Sequence, residues 1–237
     1  MSHYAIGVIV NSVSPDDYHN DYVEPVDNYK YTIESMLAYY NEHMYVPQYE
    51  TECYCSRNKK DKLANEMVMK ETGKSIEDLN KEYELRKPFS TIEDADLAWK
   101  EISKEYFKIK YEIFKSLPAQ KDSDCPECLG TGKYKTMYNP NSKWDYWVIG
   151  GRWKDMYPEI DLSTTAIPVK YILDNIDEYS ELFGYVLPNI EWVERGKMGW
   201  FGIVSDDTEM EDWKQEQKQL LQKYVDGYMV VVVDCHI

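Results

Sequence analysis

A helix that crosses a membrane needs about 18 or more consecutive apolar residues, and the sequence has no such run. No membrane span is therefore expected. Glycine and proline number only 11 and 10 in 237 residues, too few for a collagen-like or low-complexity chain. Basic residues fall well short of acidic ones, 27 against 43, for a formal net charge of -16. A field of that sign repels polyanions at long range, so general binding of duplex nucleic acid is not expected. No long block of like charges occurs, and the acidic groups read as a solvated surface. The opening MSHYAIGVIVNSVSPDD has no basic flank and no small-residue cleavage site, and reads as a strand instead of a secretory signal. Without secretion, disulfides are disfavoured for the few cysteines present.

Aromatic residues are abundant, with 22 Tyr, 7 Trp and 5 Phe. That much apolar area supports a packed core and argues against wholesale disorder. Residues 4–10 form a β-prone run closed by the turn-rich NSVSPDD. Ile33, Met36, Leu37 and Tyr40 make a helical stripe that Thr32 would cap. A helix is expected over 62–85 with a break near Gly73, and another from Ser90 or Thr91 to about Leu117 before Pro118. Residues 122–160 read as loops around short strands. Residues 169–176 fit a short strand or a short helix, as do residues 178–183. Residues 185–187 and 190–193 flank Pro188-Asn189 as a hairpin, and residues 200–204 read as a strand. Asp207 or Thr208 would cap a helix through Trp213, Leu220, Leu221 and Tyr224. Residues 228–234, with four successive valines, suit a strand buried on both faces.

The expected class is α+β. The N- and C-terminal strands pair centrally in an antiparallel or mixed sheet, ferredoxin-like or related. Residues 1–56 and 121–237 would make the core domain with a zinc knuckle, and residues 57–120 a helical insertion.

The cysteines stand as Cys53-x-Cys55 and Cys125-x-x-Cys128, with Cys235 apart. Gly130 and Gly132 follow the second pair and allow a tight turn behind two thiolates. Two such arms supply the four sulfurs of a closed tetrahedral site, and thiolates select zinc over magnesium or calcium. Cys53, Cys55, Cys125 and Cys128 are thus the expected ligands of a structural zinc ion.

Three tryptophans lie within residues 139–153, NPNSKWDYWVIGGRW. Flat aromatic faces stack a base, and Arg or Lys neutralises a phosphate. Lys143, Trp144, Asp145, Trp147, Arg152 and Trp153 are therefore candidate ligand-binding residues, joined by Trp200 in ERGKMGWFG. Core packing is the alternative role for these aromatics. Asp234 and His236 share one face of the last strand and are the candidate acid–base residues.

The runs CPECLGTG, NPNSKWDYWVIGGRW, KMGWFG and VVDCHI together resemble a widespread group of phage and prophage proteins. The resemblance covers the N-terminal strand, the helix leading into YNEHMYVPQYE and residues 125–237. It implies an accessory viral protein acting in the host bacterial cytoplasm, and it transfers no active site. Three function classes follow. The first is a non-enzymatic protein that sequesters a nucleotide-derived signal of host defence. The second is an enzyme that degrades such a signal, using His236, Asp234 and Arg152. The third is an acidic inhibitor of a host protein. A homo-oligomer is a further expectation, because aromatic-rich surfaces often pair.

Overall fold

The structure is a computed structural model and describes residues 2–13, 23–178, 182–198, 204–205 and 207–237. In chain order the strands and helices are β1 (His3–Asn11), β2 (Glu24–Pro25), α1 (Lys30–Ala38), β3 (Tyr49–Glu52), α2 (Tyr54–Thr72), α3 (Ile76–Leu85), α4 (Ile92–Ser116) and β4 (Lys133–Thr136). They continue as β5 (Tyr146–Ile149), β6 (Thr165–Pro168), α5 (Val169–Asn175), β7 (Gly184–Val186), β8 (Trp192–Glu194), β9 (Lys197–Met198), β10 (Val204–Ser205), α6 (Met210–Leu221) and β11 (Tyr228–His236). The chain divides into two compact units, one of Met1–Val46 with Tyr138–Ile237 and one of Pro47–Met137.

The larger unit is built on a mixed sheet with the path β2-β6-β11-β1-β7-β8. The terminal strands pair antiparallel along their whole length, from His3↔His236 to Asn11↔Tyr228. β7 joins β1 in parallel, and β8 returns beside β7 as the expected hairpin. Two short strands share the other edge of β11. β6 pairs with Met229 and Val230, and β5 pairs with residues 233–236. The chain thus takes the mixed form of the expected α+β sheet, with both terminal strands at its centre.

Alternation along the strands creates two cores. Tyr4, Ile6, Val8, Val231, Val233 and Cys235 face one cluster that includes Ile33 and Leu37 of α1. Ala5, Ile9, Val230 and Val232 face the other, which includes Ile172 of α5 and Trp213 of α6. Burial on both faces explains why β11 reads as a continuous valine run instead of an alternating one. Each of the buried valine, isoleucine and leucine side chains contributes about 1.5–3 kcal/mol through removal from water.

The helix starts differ in part from expectation. Thr32 lies inside α1, whose N-cap is Tyr29 with no side-chain cap; the 3-10 turn Val26–Asn28 feeds the helix instead. α6 likewise starts after Glu209 without a side-chain cap. The segment beginning at Val169 is helical. Most of the strand expected over 200–204 lies outside the described residues, although Val204–Ser205 is extended and pairs with β9.

In the smaller unit, α2 begins at Tyr54, earlier than the expected 62, and ends at Gly73 in the left-handed region (φ 71°). Ser75 and Asp78 form a capping box on α3, and the Thr91 side chain accepts from the Asp94 N–H at the start of α4. Val68, Leu79, Ile102 and Tyr106 make its core. The ladder of β3 with β4, from Tyr49↔Thr136 to Glu52↔Lys133, closes the unit at its base. This ladder moves the boundaries outward from the expected 57–120, and all four paired cysteines fall inside the smaller unit.

Gly7 sits where β1, β7 and β11 are tightest. A Cβ there would stand 2.8 Å from the Tyr185 ring and 2.9 Å from Val230. Gly7→Ala is expected to cost about 1–3 kcal/mol through overpacking, read as a lower urea midpoint with an unchanged m-value.

Candidate functional site

Two constellations of chemically active side chains occur, one in each unit. In the smaller unit, Cys53 is the N-cap of α2 and Cys55 lies in its first turn. The strand pairing of Glu52 with Lys133 brings Cys53 beside the second cysteine loop, where its N–H donates to the Gly132 carbonyl at 2.9 Å. That loop turns tightly: Leu129, Gly130 and Gly132 all have positive φ. A Cβ on Gly132 would lie 2.4 Å from the Gln120 carbonyl oxygen, so glycine is required there.

The four sulfurs of Cys53, Cys55, Cys125 and Cys128 all lie within 4.8 Å of one another. Cys53 and Cys125 are 3.7 Å apart, and Cys55 and Cys128 are 3.5 Å apart. A tetrahedral tetrathiolate with metal–sulfur bonds of about 2.3 Å has sulfur–sulfur edges of about 3.8 Å. The cluster therefore has the geometry to hold a metal ion, and none of its cysteines is in a disulfide. Burial pushes the Cys128 thiol up, but the Gly132 N–H, the Cys55 and Cys125 thiols and the Gly130 N–H together outweigh it and bring it down to about 7. Cys235 is unrelated to this cluster. It is fully buried in the sheet core, and burial raises its thiol well above the usual range.

In the larger unit the second constellation lies where β1, β11 and β5 end together. His3 faces His236 across one ladder, and Tyr146 faces His236 across the next. Directly opposed residues point to the same side of a sheet, so the three share a row. The His3 and His236 rings meet edge-on with centroids 4.8 Å apart. Each ring turns Nδ1 toward its own carboxylate. His3 Nδ1 is 2.9 Å from Asp234 Oδ1, and His236 Nδ1 is 2.5 Å from Asp145 Oδ1. A carboxylate at Nδ1 holds the proton there and leaves Nε2 as the basic nitrogen. Neither Nε2 has a partner among the described residues.

Asp234 is buried, and its second oxygen accepts from the Arg152 N–H at 3.1 Å. Gly150 and Gly151 make this approach possible. Gly151 has φ 51°, and a Cβ on it would stand 2.5 Å from the Asp234 carboxylate. The Arg152 backbone is thus tied to Asp234, while its side chain is exposed and has no ion-pair partner among the described residues.

The structure divides the sequence-predicted ligand residues. Asp145, Arg152, Asp234 and His236 come together at the strand end. Trp144 is interior, with its indole N–H donating to the Leu37 carbonyl at 3.1 Å, and Trp147 packs edge-on against it. Trp153 packs into the opposite core, where its indole nitrogen is buried without a partner among the described residues. The tryptophans therefore do not form one open stacking surface. Strand alternation sends Trp147 inward and its neighbour Tyr146 outward, the latter 60% exposed. The Lys143 ammonium is held by Glu194, which also accepts from the Trp192 indole at 2.8 Å, so it is not free to meet a phosphate. Trp200 lies outside the described residues. Sequence reasoning missed His3. Nothing local marks it; only the register of the paired terminal strands sets it opposite His236.

Gly151→Ala combines a positive φ with a clash on Asp234. It is expected to cost at least ~1–2 kcal/mol, seen in urea unfolding, and to shift the His3 ring resonances in NMR spectra. No family model, curated protein or solved structure matches the chain in comparison.

Proposed function

We propose that the larger unit binds a small, phosphate-bearing, nucleotide-like ligand at the end of β5 and β11. Arg152 takes the phosphate and Tyr146 offers its ring to the base. The observation that carries this reading is Arg152 itself. Its main chain is fixed by Asp234 and its guanidinium is left exposed, with no partner among the described residues, in a chain whose net charge is -16. An isolated cation fixed against an acidic background is suited to a compact anion, because charge-assisted pairing is local whereas the general field repels larger polyanions. Tyr146 adds an exposed aromatic face in register with His236. The resemblance of the sequence to phage proteins supports a nucleotide-derived signal of bacterial host defence as the ligand, removed by this chain inside the host.

We further propose that the cysteine cluster holds zinc in a structural role. Thiolates favour zinc, and four of them leave the ion no open position. Sulfur separations of 3.5 and 3.7 Å match that geometry.

Isothermal titration with a panel of cyclic dinucleotides tests the ligand reading. At least one is expected to bind, and Arg152→Ala is expected to weaken it by roughly 10-fold or more, the loss of a charge-assisted contact of about 1.5–3 kcal/mol. Undiminished affinity would remove Arg152 from the site. For the metal, elemental analysis is expected to find about one zinc per chain, and Cys128→Ser is expected to lose it together with thermal stability.

A further inference from the structure

We infer that His3 and His236 are a general acid–base pair that hydrolyses a phosphodiester bond in a small nucleotide. This rests on the ligand reading above and gives it a reaction. The first ground is the duplication of the dyad. One imidazole bonded to one carboxylate is a common structural contact. Here two such pairs lie side by side, with ring centroids 4.8 Å apart, and each presents an Nε2 with no partner among the described residues. The second ground is access. The His3 and His236 side chains keep 21% and 15% of their surface, so both rings reach solvent from an otherwise packed sheet. The third ground is the surroundings. Arg152, whose main-chain N–H donates to the carboxylate of the first dyad and whose side chain is exposed, is the cation that the proposal gives to the phosphoryl oxygens.

Two imidazoles meet the proton requirements of the reaction. One, neutral at Nε2, accepts a proton from the attacking water as the new phosphorus–oxygen bond forms. The other, protonated at Nε2, donates that proton to the leaving oxygen as the old phosphorus–oxygen bond breaks. The carboxylates stabilise whichever ring is cationic and fix both rings in place. One proton is taken and one is given, so the products are an alcohol and a phosphomonoester. The two rings have exchanged protonation states, and exchange with solvent restores them. Arg152 offsets charge that develops on the non-bridging oxygens. Asp145 and Asp234 act through the rings and are positioning residues.

The test uses the full-length protein with two kinds of substrate, a cyclic dinucleotide from the binding panel and bis(4-nitrophenyl) phosphate. Product is followed by chromatography and by release of 4-nitrophenolate. The wild-type protein is expected to linearise the dinucleotide. His3→Gln and His236→Gln are each expected to slow this by roughly 10²–10⁴-fold while they still bind the ligand by titration. 4-Nitrophenolate leaves without needing a proton, so the variant that lacks the acid is expected to keep most of its activity on the aryl ester, and the variant that lacks the base is expected to lose it. Asp145→Asn is expected to give a smaller loss on both substrates. Thermal melts check that each variant is folded, and Gln serves because it keeps a polar side chain of similar length. A wild-type protein that binds the dinucleotide and returns it unchanged would overturn the inference and leave the ligand reading standing. Failure to bind any member of the panel, with no product, would sink both. Full turnover of the dinucleotide by either histidine variant would overturn the pairing.

Discussion

The antiparallel ladder that runs from His3↔His236 to Asn11↔Tyr228 decides most of what the larger unit can do. Its register is fixed by burial. Even-numbered residues of β1 and odd-numbered residues of β11 enter one core, and Ala5, Ile9, Val230 and Val232 enter the other. A slip by one residue would exchange every side chain between the two cores. It would place Tyr185 against the wrong partners where Gly7 now leaves room, and it would separate His3 from His236. Apolar packing deep in the sheet thus positions polar chemistry at its end. The polar groups do not need to find each other, because the valines have already set the distance.

Burying Asp234 carries a desolvation cost that the local structure offsets. A carboxylate shielded from water requires partners for its oxygens. One oxygen meets His3 Nδ1, and the other meets the Arg152 N–H. The second contact exists only because the Gly150-Gly151 pair brings the main chain to the carboxylate with no Cβ in the way. The same glycines redirect the chain after β5, since the Gly150 N–H donates to the Val232 carbonyl at 2.8 Å. The next two residues then diverge. Arg152 faces solvent, and Trp153 enters the second core.

Much of this was legible in the sequence, and the illegible parts have physical reasons. The terminal strands, the break at Gly73, the Thr91 cap and the Pro188-Asn189 hairpin all rest on local signals, and all are present. The cysteine cluster was legible because ligand spacing is nearly a local property, even with the long gap between the pairs. The partition of the aromatic run was not. In a strand, adjacent residues point oppositely, so Trp147 becomes core while Tyr146 faces outward, and only the register of β5 on β11 determines which; Trp144 precedes β5 and is buried through its bridge to Asn41 and its bond to the Leu37 carbonyl. Thr32 was misread as a cap because a preceding 3-10 turn, with no sequence signature of its own, starts α1 earlier. The β3–β4 ladder was not legible because both are short, polar strands whose partners lie far apart in sequence.

The two constellations divide the chemistry between them. A metal held by four thiolates has a filled coordination shell and no position for a substrate or a water. In the cysteine cluster every sulfur is within 4.8 Å of the others, and the loop glycines and the β3–β4 ladder fix the backbone behind them. That arrangement favours folding energy over reactivity. The strand-end cluster is the opposite case. Its carboxylates are partnered, its rings are oriented, and the basic nitrogen of each ring has no partner among the described residues. Both rings keep part of their surface, so this Nε2 is open on each to water or to a ligand.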